Sequence, residues 1–513
     1  MDLLYIALGV IGALLVAFIF VVAIRAIAFK PKKQPPCVES DTDFDAERAT
    51  ECLRTLVKFK TVSYNDPTLE NDEEFEGLID ALPSLYPSVF EKCEFIRLPN
   101  RALLFKWSGG EAPSGENPPI HSALESLDTQ NPPNHSALRT PHSALVLMAH
   151  FDVVPVDESG WEKPPFEGII EDGVLWGRGT LDTKVTMNGA LFAVDTLIKR
   201  GYTPSRDVYL AFSGNEEING EGAPTIVKYF QDNNIEIGAV LDEGGAVCEN
   251  VFPGVRGKCG MIGIAEKGML NVEYRLKSNG GHASSPKPRS LIGLLSDACS
   301  AIEGHPFKMK ISAPVSQMFD TLGRYSTPLY RTIFSNMWAF KGIINMIGKK
   351  SGGELNALVR TTVAFTQAKG SDASNVLPTE ASLVSNIRLN PGDTVESALE
   401  YLKRTANNDE IEIIATYGTN PSRISRTDCA EYEAVAKAVA STWEGTIVTP
   451  YLMMQCSDSR HYGSISDKVY RFSAMDLTLA ERRSIHGNNE RIRLDTIAKS
   501  CEFYINFIKN ITQ

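Results

Sequence analysis

The sequence predicts an α/β protein: a mostly parallel sheet with helices on both faces, an inserted α+β domain and one N-terminal transmembrane helix. Apolar runs such as SALVLMAH and DVYLAFSG alternate with helical stretches such as GALFAVDTLIKRGY, which is typical of parallel strands buried on both faces. Further along, MLNVEYRLKS and ASLVSNIRLN alternate apolar and polar residues with period two, as half-exposed antiparallel strands do. The chain also begins with a long apolar run.

The apolar run at the N-terminus predicts a membrane anchor. From Leu3 to Ile24 every residue is apolar, Gly or Tyr, and a helix of this length crosses roughly 30 Å of hydrocarbon. A cleaved signal sequence is the alternative, but it normally has a shorter apolar region with positive charge before it. Four basic residues follow the run: Arg25, Lys30, Lys32 and Lys33. The positive-inside rule therefore predicts a single-pass anchor with the rest of the chain on the cytoplasmic face.

Composition describes an ordinary globular protein of two or three domains, with 513 residues, 43% hydrophobic and 22% charged. A formal net charge of -12 argues against a nucleic-acid partner, because phosphate binding needs a basic face. The nine cysteines are scattered singly with no C-x-x-C pair, which predicts reduced thiols rather than disulfides or a thiolate zinc site.

Polar residues that can bind metals follow successive strands of the predicted sheet. His150 follows the first apolar run in AHFD, Glu216 and Glu217 follow the second in SGNEE, and Asp242 follows a third in VLDEG. Asp182, in WGRGTLDTK, lies in the turn that opens a helix. Because open α/β sheets bind ligands outside the carboxyl ends of their strands, we expect these side chains to meet at one edge.

This set of side chains predicts a site for two divalent cations. Imidazole and carboxylate ligands together suit zinc, with manganese or cobalt as substitutes. Two such cations about 3.5–4 Å apart need a shared anion, which an aspartate can supply, and each keeps a position for water. One member of the pair Glu216–Glu217 could bind metal while the other faces that water. Asp152 could accept a hydrogen bond from His150 and so select the tautomer of its imidazole.

Eight motifs give the chain a family resemblance. HFDVVPV, GRGTLDTK, SGNEE, VLDEG, GGHASSP, SNVLP, SDSRHY and IHGNNERI occur in this order. Over roughly residues 50–513 the chain thereby resembles the M20 family of zinc peptidases and amidohydrolases. It looks closest to the branch that contains carboxypeptidase S and the N-acyl amino-acid hydrolases or synthases.

The resemblance implies two zinc ions per chain and a role for each matching ligand. Asp182 would bridge the two ions. His150 and Asp242 would complete one zinc site, and Glu217 and His486 the other. His486 lies in a polar loop, and only the resemblance makes it a ligand.

The catalytic roles also come from the resemblance. Glu216 would be the general base, Asp152 would orient His150, and His282 would donate a hydrogen bond to the developing oxyanion. The bridging aspartate of the family often precedes a cis peptide, so a cis Asp182–Thr183 bond is expected.

The resemblance implies that the inserted α+β domain is a lid that carries substrate contacts. Asn375 would help to hold the substrate carbonyl, and Arg388 would grip a free carboxylate with its guanidinium, assisted by Arg460. The sequence departs from the family pattern where Gln455-Cys456-Ser457 precedes DSRHY, and bulk near Cys456 could narrow the pocket for the carboxylate.

These expectations predict a two-zinc hydrolase that cleaves the amide bond of small peptides, as a carboxypeptidase or dipeptidase. An aminoacylase-type hydrolase of N-acyl amino acids is the alternative, since both kinds of substrate have a free carboxylate beside the scissile amide. A non-catalytic membrane-anchored binding protein is the alternative from another class.

The predicted domain division follows the composition and the motifs. Its segments are a transmembrane anchor (1–30), a linker (31–37), the first part of the catalytic domain (38–267) with a loop insertion (109–143), a lid or dimerisation-type domain (268–420), and the second part of the catalytic domain (421–513). The insertion contains HSAL three times, from His121, His135 and His142, and we interpret it as a solvated loop because turn formers flank each histidine. A homodimer through the lid is left open, with His282 acting in its own chain or across the dimer.

Overall fold

A computed structural model of the chain describes residues 2–110 and 143–513. The predicted loop insertion at 109–143, including its three HSAL histidines, lies outside the described residues except at its first two positions and its last. All nine cysteines are described and free.

An eight-stranded sheet forms the centre of the α/β part. Its strands in spatial order are β1 (Glu94–Leu98), β2 (Ala102–Trp107), β6 (Val208–Ser213), β3 (Ala144–His150), β7 (Ile237–Glu249), β16 (Val469–Leu477), β8 (Lys258–Glu266) and β15 (Ile447–Met453). The pairs β6–β3, β3–β7, β7–β16 and β8–β15 are parallel. The pairs β1–β2, β2–β6 and β16–β8 are antiparallel, so the sheet is more mixed than the predicted, mostly parallel one.

Helices cover both faces of this sheet, which confirms the predicted α/β class. One face packs against α2 (Ala46–Val57), α3 (Asp72–Leu85), α4 (Pro87–Lys92), α5 (Lys184–Lys199), α13 (Ala430–Thr442) and α15 (Leu494–Thr512). The other face packs against α6 (Gly222–Asp232). Successive residues of β3 alternate between the two cores: Leu145 and Leu147 enter the first, Val146 and Met148 the second. A strand buried on both faces therefore needs the continuous apolar run seen in the sequence.

A second, four-stranded antiparallel sheet lies within the range predicted for the lid. Its strands in spatial order are β11 (Thr362–Lys369), β13 (Glu380–Leu389), β9 (Gly268–Lys277) and β14 (Glu412–Thr419). Helices α7 (Leu291–Gly304) and α12 (Val395–Ala406) share a hydrophobic core with it. A short ribbon pairs β10 (Gly281–His282) with β12 (Val376–Leu377). The small strands β4 (Ile169–Glu171), β5 (Val174–Trp176) and β17 (Arg491–Arg493) form a third sheet, near α14 (Leu479–Ser484).

Four further helices form a unit that we call the helical insert, residues 313–359. They are α8 (Ala313–Tyr325), α9 (Pro328–Ser335), α10 (Met337–Ser351) and α11 (Gly353–Val359). Although the insert falls inside the range predicted for the lid, its core residues cluster with Phe252, Met261 and Tyr451 of the α/β part. The insert therefore packs beside the edge strand β15 rather than on the lid sheet.

The N-terminal helix α1 (Asp2–Ala28) contacts the helical insert at α9. Its segment Leu4–Ala28 has a mean hydropathy of 3.0, and no part of its most apolar stretch is buried in the protein. The helix is long and apolar enough to cross a membrane, as the sequence predicts.

Candidate metal centre and active site

Five predicted site residues meet at the carboxyl edge of the central sheet. His150 ends β3, Asp182 lies just before α5, and Glu216 and Glu217 begin a short 3-10 turn after β6. His486 reaches the same place from the loop after α14, where its backbone has φ +59°. The apolar strands thus end where polar side chains begin, and the parallel order of β6, β3 and β7 places those ends side by side.

Asp182 lies between two histidines and contacts each with a different oxygen. Its Oδ1 is 3.0 Å from His150 Nε2, and its Oδ2 is 2.9 Å from His486 Nε2. Glu217 Oε2 is a further 3.2 Å from His486 Nε2. The Asp182–Thr183 peptide bond is cis, as the family resemblance implies. A carboxylate with one oxygen toward each histidine has the geometry that a bridge between two cations requires.

Glu243, and not Asp242, completes the group around His150. Glu243 Oε1 lies 3.4 Å from His150 Nε2, and His150, Asp182 and Glu243 offer ligand atoms within 4.8 Å of one another. Asp242 instead accepts a hydrogen bond from the backbone N–H of Ser459 at 3.0 Å. Glu243 is therefore a second candidate ligand beside the predicted Asp242.

A bulge in β7 explains why the adjacent carboxylates separate. Asp242 pairs with Arg471 of β16, and the next pair joins Gly245 to Phe472, so Glu243 and Gly244 have no partner in that ladder. Neighbouring residues of a strand point to opposite faces, and the bulge lets Glu243 turn toward His150. The motif VLDEG contains both acids, and its glycine was the signal in the sequence that the strand could bulge there.

Asp152 joins the imidazole of His150 to the turn that contains the two glutamates. Its Oδ1 lies 3.3 Å from His150 Nδ1, which is also 3.0 Å from the backbone carbonyl of Asp152. The backbone N–H groups of Glu216 and Glu217 each donate to this carboxylate at 3.1 Å, and Ser63 Oγ donates to it at 2.6 Å. Because Nδ1 faces these acceptors, Nε2 is free to face Asp182 and a cation.

A buried ion pair that the sequence analysis missed holds the loop before Asp182. Arg178 Nη1 lies 2.7 Å from Glu490 Oε2, and both side chains are almost fully buried. Glu490 also accepts from the backbone N–H groups of Gly179, Leu181 and Asp182 at 2.7–3.2 Å. Both residues lie in motifs of the resemblance, GRGTLDTK and IHGNNERI, and their opposite charges were the available signal.

The electrostatics of the cluster show an excess of negative charge. Burial and the charge of Asp182 raise the pKa of Glu217 to about 7, and the same two causes raise the pKa of Glu243 to about 7. Hydrogen bonds to Asp182 and Glu217 raise the pKa of His486 to about 10. The buried Oε1 of Glu217 has no hydrogen-bond partner among the described residues. Two imidazoles, three clustered carboxylates and an orphaned carboxylate oxygen form a donor set that fits a pair of divalent cations.

Glu216 lies beside this cluster without belonging to it. Burial, followed by the neighbouring acids, raises the pKa of Glu216 well above its usual range, although His150 opposes the shift. Its side chain lines a cavity that also contains Asp182, Glu217, Glu243 and His486. This position suits a proton acceptor next to the cluster.

That cavity has a volume of about 580 Å³ and continues from the polar cluster into an apolar region. Side chains from β8, β15, β16, α11 and the helical insert line the apolar part: Met261, Met318, Leu358, Tyr451, Met453, Met454, Met475, Leu477 and Ile485. Five of these are methionines, whose flexible thioethers adapt to apolar ligands of varied shape. The same wall also contains polar and charged side chains, namely Glu354, Gln455, Ser473, Arg482 and Arg483. The cavity therefore joins the cluster of candidate ligands to a wall that is apolar in part, and we call it the apolar cavity.

Two of the predicted substrate residues lie near the polar end of the cavity. Arg388 Nη1 is 3.5 Å from the sulfur of Cys456, and Cys456 lines the cavity. Arg460 donates to the Ser457 carbonyl at 2.9 Å and to Asn219 Oδ1 at 3.1 Å. Asn219 ends the turn that contains Glu216 and Glu217, so Arg460 spans the gap between that turn and the segment 455–457.

His282 ends β10 and Asn375 immediately precedes β12, in the short exposed ribbon. Both are exposed, and neither is among the described residues that line the apolar cavity. The backbone N–H of Ala283 donates to the Asn375 carbonyl at 3.0 Å. The backbone N–H of Ser284 donates to His282 Nδ1 at 3.1 Å, which leaves Nε2 as the protonated nitrogen of the neutral ring. The structure therefore separates these two residues from the metal-ligand cluster.

The chain is similar to proteins of known type along nearly its whole length. The family model described as Peptidase family M20/M25/M40 matches residues 146–510. A probable carboxypeptidase S-like protein of Dictyostelium discoideum is 30% identical, over 98% of this chain and 93% of its own. An N-fatty-acyl-amino acid synthase/hydrolase of Xenopus tropicalis is 31% identical, over 91% of this chain and 86% of its own. The crystal structure of an M20 family metallo-carboxypeptidase from Sulfolobus solfataricus has the same fold, with a TM-score of 0.61 at 19% identity, over 90% of this chain and 98% of that one.

Proposed function

Because the chain belongs to peptidase family M20/M25/M40 and is a hydrolase, we propose that it cleaves N-acyl amino acids whose acyl group is long and apolar. The observation that supports this substrate most directly is the apolar cavity, whose lining includes His486, Asp182 and Glu217 of the cluster together with five methionines and several aliphatic side chains. A cavity of about 580 Å³ is large enough to bury most of a drug-sized ligand. An amide held at the cluster would then have its acyl chain in this cavity.

The other end of such a substrate is a free carboxylate, for which the site offers cationic side chains. Arg388 lies beside Cys456 at the cavity wall, and Arg460 lies between the Glu216 turn and Ser457. A guanidinium can hold a carboxylate through two parallel hydrogen bonds. We infer that these two arginines bind the carboxylate of the amino-acid part of the substrate. Asn375 would join them when the lid approaches the cluster.

We infer that the site holds two divalent cations, expected to be zinc, with manganese or cobalt as substitutes. His150 and Glu243 would hold one, Glu217 and His486 the other, and Asp182 would bridge them, in keeping with the two groups of ligand atoms. Cations held there would polarise the substrate carbonyl and increase the acidity of a water molecule.

The remaining steps belong to side chains of this chain. Glu216 lies beside the ligand cluster and would accept the proton of the attacking water, then return it to the nitrogen of the leaving amino acid. Asp152 holds the backbone of both glutamates and so keeps the base in register with the ligands. His282, protonated at Nε2, would donate to the oxyanion once the lid brings it near, from the same chain or from a second copy.

A carboxypeptidase for peptides is the second candidate, favoured by the name of the Dictyostelium relative. Such a peptide would place an apolar side chain where we place the acyl group, and its carboxylate would meet the same arginines. A non-catalytic binding protein finds no support, because the family match identifies the chain as a hydrolase.

We further propose that α1 is an uncleaved single-pass anchor with the catalytic part on the cytoplasmic side. Residues inside α1 contact the rest of the fold. Arg25 Nε donates to the Ser335 carbonyl at 3.1 Å, and Asn336 Nδ2 donates to the Val22 carbonyl at 3.1 Å. Removal of α1 as a signal sequence would lose both contacts. A homodimer through the lid stays a prediction.

The substrate proposal is tested by measuring hydrolysis of N-acyl phenylalanines from acetyl to oleoyl beside a set of dipeptides. Burial of each CH₂ contributes about 0.8 kcal/mol, so we expect kcat/KM to rise roughly fourfold per methylene until the cavity is filled. Faster cleavage of dipeptides than of every acylated amino acid would instead select the carboxypeptidase. The variant Glu216→Gln should keep both metals and lose about 10²–10⁴ in kcat.

A further inference from the structure

Two helices of the insert expose an apolar face that their own fold does not cover. The described part of α9 and α10 exposes six large apolar side chains within 19 positions: Leu329, Tyr330, Trp338, Ile343, Met346 and Ile347. Leu329 is 70% exposed and Met346 62%. A soluble monomer rarely exposes so many adjacent apolar groups, and such patches usually mark contact with a membrane or a partner.

The contacts between α1 and the helices α9 and α10 show where these two helices lie along the axis of α1. Arg25 Nε donates to the Ser335 carbonyl at 3.1 Å, and Asn336 Nδ2 donates to the Val22 carbonyl at 3.1 Å. The ring of Trp338 then meets that of Phe18 edge to face, with centroids 5.6 Å apart.

These three contacts run down α1 away from the soluble part as the chain proceeds from α9 into α10. Seven residues separate Arg25 from Phe18, which is about 10 Å along a helix axis. Trp338 therefore lies closer than Arg25 to the middle of α1. Arg25 is the first basic residue after the apolar run.

We propose that α9 and α10 form a platform that inserts into the bilayer beside α1, with the lipid acyl chains covering the six exposed side chains. An interfacial helix buries its apolar face about 5–10 Å into the boundary between head groups and acyl chains, which agrees with the depth set by Phe18. The proposal rests on the anchor proposed above and adds a second membrane contact.

Charges on α10 agree with this orientation. At 100° per residue, Lys341 falls about 160° from the centre of the face formed by Trp338, Ile343, Met346 and Ile347. Lys350 falls about 20° from that centre and Lys349 at the edge of the face, but both lie in the last turn of the helix, where long basic side chains can reach lipid phosphates. The apolar face therefore carries charge only at the end of the helix.

The platform lies next to the proposed substrate site, and α8 is the element between them. Met318 of α8 lines the apolar cavity. Ser316 and Phe319 of the same helix line a second cavity of about 510 Å³, whose wall also contains Phe29 and Trp338. A lipid-like substrate dissolved in the bilayer would thus meet the protein one helix away from the site that cleaves it.

Depth-dependent quenching tests the platform in the full-length protein. The chain is reconstituted in vesicles of phosphatidylcholine and phosphatidylserine that carry bromine on their acyl chains, and its tryptophan fluorescence is compared with that in unbrominated vesicles. Four of the five tryptophans, Trp107, Trp161, Trp176 and Trp443, belong to the α/β part. We expect bromolipid to quench a component that the variant Trp338→Phe lacks.

The outcomes separate the platform from the anchor and from a dimer. Protein that floats with the vesicles but shows the same quenching in wild type and Trp338→Phe would overturn the platform and leave the anchor standing. Protein that does not float would overturn both. A patch covered by a second copy of the chain would show no quenching and two copies per particle in nanodiscs, which also overturns the proposal.

A second experiment measures the hydrolysis of substrates. The double variant Met346→Glu, Ile347→Glu should lower kcat/KM by about tenfold or more for a long-chain N-acyl amino acid dissolved in the vesicles, because carboxylates resist insertion. Hydrolysis of a water-soluble N-acetyl amino acid should not change, and Leu69→Glu, an exposed leucine of the α/β part, is the matched control. Equal effects on both substrates would contradict the platform. Failure of wild type to cleave either substrate would refute the proposed function, and quenching would still decide the platform.

Discussion

Replacing Glu243 by Gln, with Asp242→Asn as its neighbour control, tests which of these two adjacent acids binds a cation in the proposed metal centre. Glu243 Oε1 lies 3.4 Å from His150 Nε2, whereas Asp242 accepts from the backbone of Ser459. Both substitutions keep the shape of the side chain and remove one negative charge. They differ only in whether the charge faces the ligand cluster.

The expected magnitudes differ widely. Loss of a group that merely orients a ligand costs 10–100-fold in metal affinity, so loss of a ligand should cost at least about 100-fold, or about 2.7 kcal/mol. Asparagine at 242 keeps an oxygen for the N–H of Ser459. Burial, followed by the charge of Asp458, raises the pKa of Asp242 to about 6, so removal of this carboxylate also relieves a repulsion. We therefore expect Asp242→Asn to retain metal.

The assay is metal content per chain by mass spectrometry after dialysis against graded EDTA, with activity on an N-acyl amino acid measured in parallel. Wild type and Asp242→Asn should retain two ions at a chelator concentration at which Glu243→Gln retains one and is inactive. Equal thermal unfolding of the three proteins in excess metal would exclude a general folding defect. Two ions and full activity in Glu243→Gln, together with loss of metal in Asp242→Asn, would refute the assignment made from the structure.

Three further predictions concern the surroundings of the site. Glu490→Gln should lower the free energy of unfolding by about 3–5 kcal/mol in urea titrations, because it leaves Arg178 buried without its partner. The control is Glu76→Gln, in an exposed ion pair with Arg97 of the same 2.7 Å length, which should cost no more than about 1 kcal/mol. Burial and a neighbouring arginine lower the pKa of Lys267 to about 7. Between about pH 7 and 10.5 the unfolded chain therefore binds more protons than the folded one, and the free energy of unfolding should rise with pH. Lys267→Met should abolish this rise, and an unchanged slope would contradict the prediction. Met454→Trp, which fills part of the apolar cavity, should lower kcat/KM at least about tenfold for a long-chain substrate and leave an N-acetyl substrate unaffected.

The strands that end at the site were predictable because their signal is local. β3 and β6 are buried on both faces, and each must therefore be apolar at every position up to the polar residue that ends it. The direction of β8 was not predicted, although the chain contains the reason. Only residues 250–257 separate it from β7, and a parallel crossover needs a dozen residues or more, so β8 runs antiparallel to β7.

The candidate ligands that meet in the structure were predictable to different degrees. His150 and Asp182 follow from their places at a strand end and a helix start. The choice between Asp242 and Glu243 depends on a bulge in the ladder between β7 and β16. A bulge is set by the pairing of strands more than two hundred residues apart in the chain, so alternation within VLDEG alone could not locate it.

The helical insert was assigned to the lid because it lies between lid strands in the chain. Its helices are amphipathic, and an amphipathic pattern predicts a helix with a buried face without saying what buries it. Here the partners are Phe252 and Met261 on one side and Tyr451 on another, all outside the range 268–420. Packing on distant residues, and not local propensity, places α8 at the wall of the apolar cavity.

This division between local and distant signals explains why the sequence predicted the reaction class better than the substrate. Each candidate metal ligand belongs to a short motif near the end of a strand or helix, where chemistry and backbone position are set by neighbours in the chain. The apolar cavity has no such motif, because its wall joins β8, β15, β16 and the helical insert, which meet only in the folded protein. Motifs that peptidases and acylases share thus predict amide hydrolysis, and the shape of a non-local cavity has to decide between a peptide and an acyl chain.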